Sequence, residues 1–299
     1  MTARPFCDAL TVTFPDELWR DVRRAIVPEL DALGMAVECD RDRLALWRSA
    51  CGFGVVRAEV TNAVRVLAVS GVVCGALRSI GRWGAFLAAV GQFPHRVTRL
   101  DATHDFPVDA PAVLVAAAAV ARTGALALTR KKVRPRDVTQ LLSLREDGEL
   151  SGTVYIGGRR SAARLCLYDK RKERMDTALR DPGPLTRYEL RLGAGVGVSL
   201  RDAHDPVALF WHFMPAEILP APSDAPAWAP LEGGYALDRP EPLTPAERLY
   251  RRMQDSAELA ALITLASEFP GGVEMLAAEV MRRGAMRGGG VSPPAAALA

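Results

Sequence analysis

The stretch that decides the fold reads Gly152-Thr153-Val154-Tyr155-Ile156-Gly157-Gly158-Arg159-Arg160-Ser161 and continues into Arg164-Leu165-Cys166-Leu167-Tyr168-Asp169-Lys170. Its centre of glycine, arginine and serine separates two alternating segments, which is typical of a β-hairpin. Because strand side chains alternate between faces, Leu165 and Leu167 share one face, and Tyr168 and Lys170 share the other. A phenol beside a cation is a plausible nucleophile. An ordinary half-buried strand tyrosine is the alternative interpretation.

The composition is typical of a globular protein, and the cysteines are not spaced as metal-binding pairs. The 299 residues are 49% hydrophobic and 24% charged, with a net charge of +3. Five cysteines occur and none forms a C-x-x-C pair, which argues against a zinc site or disulfide framework and fits a reducing cytoplasm. The N-terminus has no apolar signal core, and the apolar tract 110–121 is too short to span a bilayer. We therefore expect a cytoplasmic protein without a membrane partner.

Strand and helix patterns alternate twice along the chain, over about 10–106 and 150–214. The predicted strands outside the hairpin are 10–14, 64–71, 96–106 and 186–192, and the predicted helices are 16–33, 75–90, 111–122 and 206–214. This order predicts an α+β protein. Its central, mostly antiparallel sheet would come from two α+β halves with helices packed on it, and a helical extension would follow at the C-terminus.

The character of the chain changes after the last predicted strand. We expect residues 1–215 to form one α+β domain, and the proline-rich segment 216–244 to be a linker or loose extension. Periodic segments predict C-terminal helices over 245–284, and the Gly/Pro/Ala-rich end, 285–299, predicts a disordered tail.

Polar residues on three predicted strands suggest a shared site. Asp101 and Asp105 alternate onto the same face of one strand, and Glu189 stands between two arginines on another. These two polar faces could lie next to the strand face that carries Tyr168 and Lys170. In that case carboxylates suited to a hard divalent cation would lie next to a phenol. A metal of this kind polarises a phosphoryl oxygen while the phenolate attacks. Each piece alone is weak, because acidic strand residues also serve as edge charges or ion-pair ladders.

Five short blocks occur in a fixed order, namely Leu10-Thr11-Val12-Thr13-Phe14, Thr98-Arg99-Leu100-Asp101-Ala102-Thr103-His104-Asp105, Gly152-Thr153-Val154-Tyr155-Ile156-Gly157, Leu167-Tyr168-Asp169-Lys170 and Arg187-Tyr188-Glu189-Leu190. Together they resemble the replication initiation factor family, the rolling-circle initiators of certain plasmids and filamentous phages. The resemblance extends over roughly residues 8–215. Its specificity lies in the ordered set, because each motif is short.

The resemblance implies specific roles for several residues. Tyr168 corresponds to the nicking nucleophile with Lys170 beside it, and Asp101, Asp105 and Glu189 to the ligands of Mg²⁺ or Mn²⁺. One departure is that no His-apolar-His pair occurs anywhere in the sequence, so the two-histidine metal site of other rolling-circle nickases is absent. Two questions stay open: His104 lies within a motif but should point away from the acids, and Tyr155 is a rival nucleophile.

Two basic clusters are candidates for DNA binding. The first contributes Arg130, Lys131, Lys132 and Arg134, and the second contributes Arg159, Arg160, Arg164 and Arg171. Because Arg159 and Arg160 are close to Tyr168 in sequence, we expect them to position the scissile strand. The 130–136 arm would hold flanking duplex, or it is only a solvated loop.

The expected function is initiation of rolling-circle DNA replication by a metal-dependent DNA nickase. The enzyme would cut one strand at a plasmid or phage origin and leave a 5′-phosphotyrosine link. The expected partners are origin DNA in duplex and single-stranded form, a host helicase and a second copy of the chain. A non-catalytic origin-binding protein or repressor is the alternative, because it needs the basic residues but neither nucleophile nor metal.

Overall fold

One antiparallel sheet dominates the computed structural model, which describes residues 4–41, 43–61, 64–129, 132–144, 148, 150–178 and 183–220. Its ten strands are β1 (Phe6–Pro15), β2 (Ala36–Arg41), β3 (Leu44–Arg48), β4 (Val55–Thr61), β5 (Val64–Val69), β6 (Arg96–Phe106), β7 (Val138–Leu144), β8 (Leu150–Ile156), β9 (Ala163–Asp169) and β10 (Thr186–Gly193). Every neighbouring pair is antiparallel.

Seven α-helices connect or follow these strands in the described part of the chain. They are α1 (Trp19–Asp31), α2 (Gly71–Ser79), α3 (Trp83–Gly91), α4 (Ala110–Arg122), α5 (Lys170–Ala178), α6 (Leu200–His204) and α7 (Val207–Phe213). Helix α6 begins with a capping box, in which Ser199 and Asp202 satisfy each other's backbone N–H groups. None of the helices within the described ranges is long and apolar enough to cross a membrane.

The strand order reveals a repeated topology. The order across the sheet is β2-β3-β4-β5-β1-β6-β10-β9-β8-β7. In each half a central strand (β1 or β6) is followed by a helix (α1 or α4), and the chain then returns from the outer edge through four antiparallel strands. The halves meet where β1 pairs with β6. The predicted α+β class, with a mostly antiparallel sheet from two related halves, is confirmed.

The apolar face of the sheet and the helices form a single hydrophobic core. Leu10, Leu100 and Leu192 lie in register across the central strands, and all three are fully buried. Tyr188 belongs to this core, as its leucine neighbours predict, and its hydroxyl donates a hydrogen bond to the Ile218 carbonyl at 2.8 Å. Burial of this face fixes the register, because a slip of one residue would turn the polar face inward.

The structure corrects two local predictions. The predicted helix over 75–90 is two helices, α2 and α3, which are separated at Gly81, where φ is +71°. Strands β2, β3, β4 and β7 were not predicted. β2 and β7 are the edge strands of the sheet, and β2, β3 and β4 gain their stability from pairing with each other. The proposed linker after residue 220, the C-terminal helices over 245–284 and the tail over 285–299 lie outside the described residues.

Candidate active site

The polar face of the second half carries three rows of side chains across β6, β10 and β9. The register aligns Asp105 with Arg187 and Tyr168, Thr103 with Glu189 and Cys166, and Asp101 with Arg191 and Arg164. Directly opposite residues of antiparallel strands point to the same face. The three polar faces predicted separately from the sequence therefore form one continuous surface.

Tyr168 lies at the end of this surface where β9 runs into α5. Burial raises the pKa of its phenol well above the ordinary value, and the positive charge of Arg187 acts in the opposite direction. The ammonium nitrogen of Lys170 lies 5.8 Å from the centre of the Tyr168 ring. Lys170 also forms an ion pair with Glu173. The predicted pairing of phenol and lysine is present, with the phenol protonated at neutral pH.

Arg187 connects Tyr168 to two carboxylates. Its Nε and Nη2 donate to the two Asp105 oxygens at 2.6 and 2.8 Å, and its Nη1 donates to Asp8 at 3.2 Å. The guanidinium carbon also lies 5.2 Å from the centre of the Phe6 ring. Only 6% of Arg187 is exposed. Paired guanidinium and carboxylate groups with this fork geometry hold one another rigidly.

The three predicted metal ligands, Asp101, Asp105 and Glu189, do not surround a common position in the structure. Asp105 gives both oxygens to Arg187, whereas Asp101 is bound by Arg99 through Nε at 2.8 Å and through Nη2. The two aspartates are also four residues apart on β6, which is about 13 Å along a strand. That separation is too large for two short side chains to share one ion directly.

Asp8 is a further acid on this face, close enough to Glu189 for its charge to act on that carboxyl. It lies in a bulge of β1 opposite Asp101 and Ala102, and its charge acts on Glu189. Burial first, and then the charges of Asp101 and Asp8, raise the pKa of the Glu189 carboxyl to about 7. Sequence patterns did not single out Asp8, although it lies only two residues before the alternating block 10–14. A polar residue just before a strand motif was the available signal.

The fit of a divalent cation to these residues is partial. A buried hydroxyl, Thr103 Oγ1, lies in the middle row and has no hydrogen-bond partner, and the neighbouring carboxylates repel each other. Both features favour a cation. As the side chains stand, however, no group of three His, Cys, Asp or Glu residues in the described ranges could hold a metal ion.

The two residues left open by the sequence have distinct environments. His104 points to the core and is packed against Phe106, Phe210 and Trp211 with ring centres 4.3 to 5.8 Å away, and burial lowers its pKa. Tyr155 lies on the polar face, opposite Cys166 and in the middle row rather than beside Tyr168. Its pKa is raised by the Cys166 thiol and by burial.

Residues of both basic clusters meet at the turn of the β8–β9 hairpin. The groove between the 127–137 loop and the β8–β9 turn is lined by Lys132, Arg134, Arg159, Arg160, His212 and Phe213. The sequence predicted that Arg159 and Arg160 lie beside Tyr168, but the structure separates them. The two arginines precede β9, whereas Tyr168 is near the end of that strand. From Ala163 to Tyr168 a strand spans about 17 Å.

The other predicted DNA-binding residues lie elsewhere. Arg164 lies on the polar face and Arg171 in the first turn of α5. Arg130 and Lys131 lie outside the described residues.

Comparison with known proteins supports the resemblance over part of the chain. Residues 95–197 match the family described as replication initiation factor, which confirms the resemblance for the segment from β6 to β10. No curated protein matches the chain. A solved structure of the rolling circle replication initiator protein from Geobacillus stearothermophilus is similar at 14% identity and a TM-score of 0.46, over 70% of this chain and 82% of that one. The match to the replication initiation factor family thus covers the segment 95–197 of this chain.

Proposed function

We propose that the protein initiates rolling-circle DNA replication by nicking one strand at an origin through Tyr168. The observation that carries the proposal is the convergence of Tyr168, Arg187 and several carboxylates on one sheet face within the segment that matches replication initiation factors. Neither a purely structural sheet nor a simple DNA-binding surface requires a half-buried phenol beside a lysine and opposite an arginine.

In the proposed reaction the Tyr168 oxygen attacks a phosphodiester phosphorus. A bond forms between the phenol oxygen and phosphorus, the bond to the 3′ oxygen breaks, and the proton lost by the phenol is balanced by the proton gained at the new 3′ hydroxyl. Arg187 favours the phenolate because it lies directly opposite. Lys170 adds a second positive charge near the ring.

A divalent cation is part of the proposal, with a revised ligand set. Asp8, Asp101 and Glu189 are the acids that would hold Mg²⁺ or Mn²⁺, and Asp105 instead orients Arg187. When bound, such an ion would act as a Lewis acid on a phosphoryl oxygen.

Flanking DNA is assigned to the groove at the hairpin turn. Lys132, Arg159 and Arg160 are exposed there, and clustered basic side chains bind phosphates in a salt-dependent manner. The helicase and a second copy of the chain stay predictions.

The decisive experiment is incubation with supercoiled DNA that carries the replicon's origin, with Mn²⁺ or with chelator. The expected result is a nicked circle with protein joined to a DNA 5′ end. Specific binding without any nick or adduct would favour the non-catalytic origin-binding alternative.

A further inference from the structure

Two arginines of like charge stand directly opposite each other on the polar face. Arg164 of β9 pairs in register with Arg191 of β10. Like charges in directly opposed positions of an antiparallel pair destabilise a sheet. This arrangement therefore needs either acidic partners for both arginines or an anion that the folded protein binds.

Acidic residues form ion pairs with only one of the two arginines. Arg191 lies 3.3 Å from Glu189 and 3.4 Å from Asp101. No carboxylate within the described ranges forms an ion pair with Arg164. In addition, the Nε atom of Arg164 is buried and makes no hydrogen bond. The buried Nε atom of Arg191 makes none either, and its contact with Asp101 is an ion pair at 3.4 Å. Guanidinium groups present several donors in a planar fork that matches a phosphate.

An aromatic ring completes the arrangement. The guanidinium carbon of Arg164 lies 4.2 Å from the centre of the Tyr155 ring, which is partly exposed. Aromatic rings beside arginines form stacking platforms for nucleic-acid bases, with little preference for sequence. Tyr155 is thus explained without a role as nucleophile.

We infer that Tyr155, Arg164 and Arg191 form a subsite for a single DNA strand, with a base stacked on Tyr155 and a phosphate bound between the two arginines. Arg164 precedes Tyr168 by four residues on β9, or about 13 Å. At the rise of ~3.4 Å per nucleotide in B-form DNA this corresponds to about four nucleotides, and to fewer in a more extended strand. The inference rests on the proposed function, because it places the bound strand on the same face as Tyr168.

The test measures binding of a fluorescent twelve-residue oligothymidine in the presence of chelator, so that cleavage plays no part. Arg164→Gln and Tyr155→Ala should each weaken binding about tenfold or more, whereas Tyr155→Phe, which keeps the ring, should bind like the wild type. Arg24→Gln is the matched control: it removes the same charge from an exposed side chain on α1 in the other half. Absence of wild-type binding, or unchanged binding by Arg164→Gln and Tyr155→Ala, would overturn the subsite.

Cross-linking gives a second readout that a merely structural role would not produce. The same oligothymidine with one 5-iodouracil should cross-link to Tyr155 on irradiation, and mass spectrometry of the digest identifies the residue. Cross-links confined to other parts of the chain would contradict the assignment. Both measurements use Tyr168→Phe as well as the wild type, so failure of the subsite is distinguishable from failure of the nicking chemistry.

Discussion

Tyr168 and Arg187 lie directly opposite each other across the β9–β10 pair. The same arginine holds Asp105 through two hydrogen bonds and reaches Asp8 with a third. The proposed nucleophile is therefore fixed to a network that includes both central strands.

The nucleophile is tested by Tyr168→Phe, which keeps the ring and removes the attacking oxygen. Covalent attachment to DNA should stop while DNA affinity is retained, because the basic residues are untouched. Tyr155→Phe is the control and should still form the adduct. The measurement is denaturing electrophoresis of protein incubated with labelled origin DNA. An adduct in Tyr168→Phe that is lost in Tyr155→Phe would transfer the role to Tyr155.

Arg187→Gln should destabilise the protein strongly. The substitution leaves the buried Asp105 carboxylate with only the longer contact to Arg174, at 3.5 Å, and removes the cation beside Asp8. Loss of one member of a buried ion pair costs about 3–5 kcal/mol. Urea unfolding followed by circular dichroism measures the free energy of unfolding. Arg57→Gln, which breaks an exposed pair with Glu59, is the control and should have little effect. Equal stabilities of the two variants would show that the network contributes no stability.

Glu189 should make stability depend on pH in the absence of metal. Its folded pKa of about 7 lies above the unfolded value of about 4.3, because burial and the charges of Asp101 and Asp8 outweigh the effect of Arg191. The native state then binds the proton more tightly, so this contribution is complete below pH 4.3 and is lost as the pH rises through 7. At ~1.4 kcal/mol per pKa unit, the loss of stability is at most about 4 kcal/mol.

Glu189→Gln should remove that dependence, so the difference in unfolding free energy between pH 5 and pH 8 becomes smaller in the variant than in the wild type. Urea titrations at both pH values, with chelator present, provide the measurement. Glu59→Gln on β4 serves as the matched control and should keep the wild-type difference. The same difference in the wild type and Glu189→Gln would mean that the Glu189 pKa is not raised.

Metal binding should stabilise the wild type more at pH 8 than at pH 6, because a cation competes with the proton on Glu189. A thermal melt with Mg²⁺ or Mn²⁺ against chelator measures the shift. Asp8→Asn and Glu189→Gln should abolish it, whereas Asp105→Asn should retain it despite a lower starting stability. If Asp105→Asn abolishes the shift and Asp8→Asn does not, the metal ligands are those predicted from the sequence.

The groove should hold flanking duplex rather than the scissile strand. The double variant Arg159→Gln/Arg160→Gln should weaken binding to a 30-base-pair duplex and reduce the slope of log affinity against log salt by up to about 2. Cleavage of a short single strand around the nick site should be largely unaffected. Arg20→Gln/Arg24→Gln removes the same charge from α1 and is the control. A wild-type salt slope in the groove variant would make the turn arginines simple solvated charges.

Local sequence patterns determined the hairpin, the faces of its strands and the pairing of Tyr168 with Lys170, because alternation and turn composition act over a few residues. The core role of Tyr188 followed from the leucines on either side of it. The α+β class followed from the order of these local patterns. In each case the information lies within a single strand or between neighbouring elements.

Only the tertiary structure decided which polar side chains meet. Asp101 and Asp105 share a face, but pairing with β10 gives Asp105 to Arg187, and pairing with β1 brings Asp8 to the acids instead. Sequence proximity likewise suggested that Arg159 adjoins Tyr168, whereas an extended strand carries the two to opposite ends of β9 and brings Arg159 to Lys132. Contacts between distant segments depend on register and strand order, which no local pattern specifies.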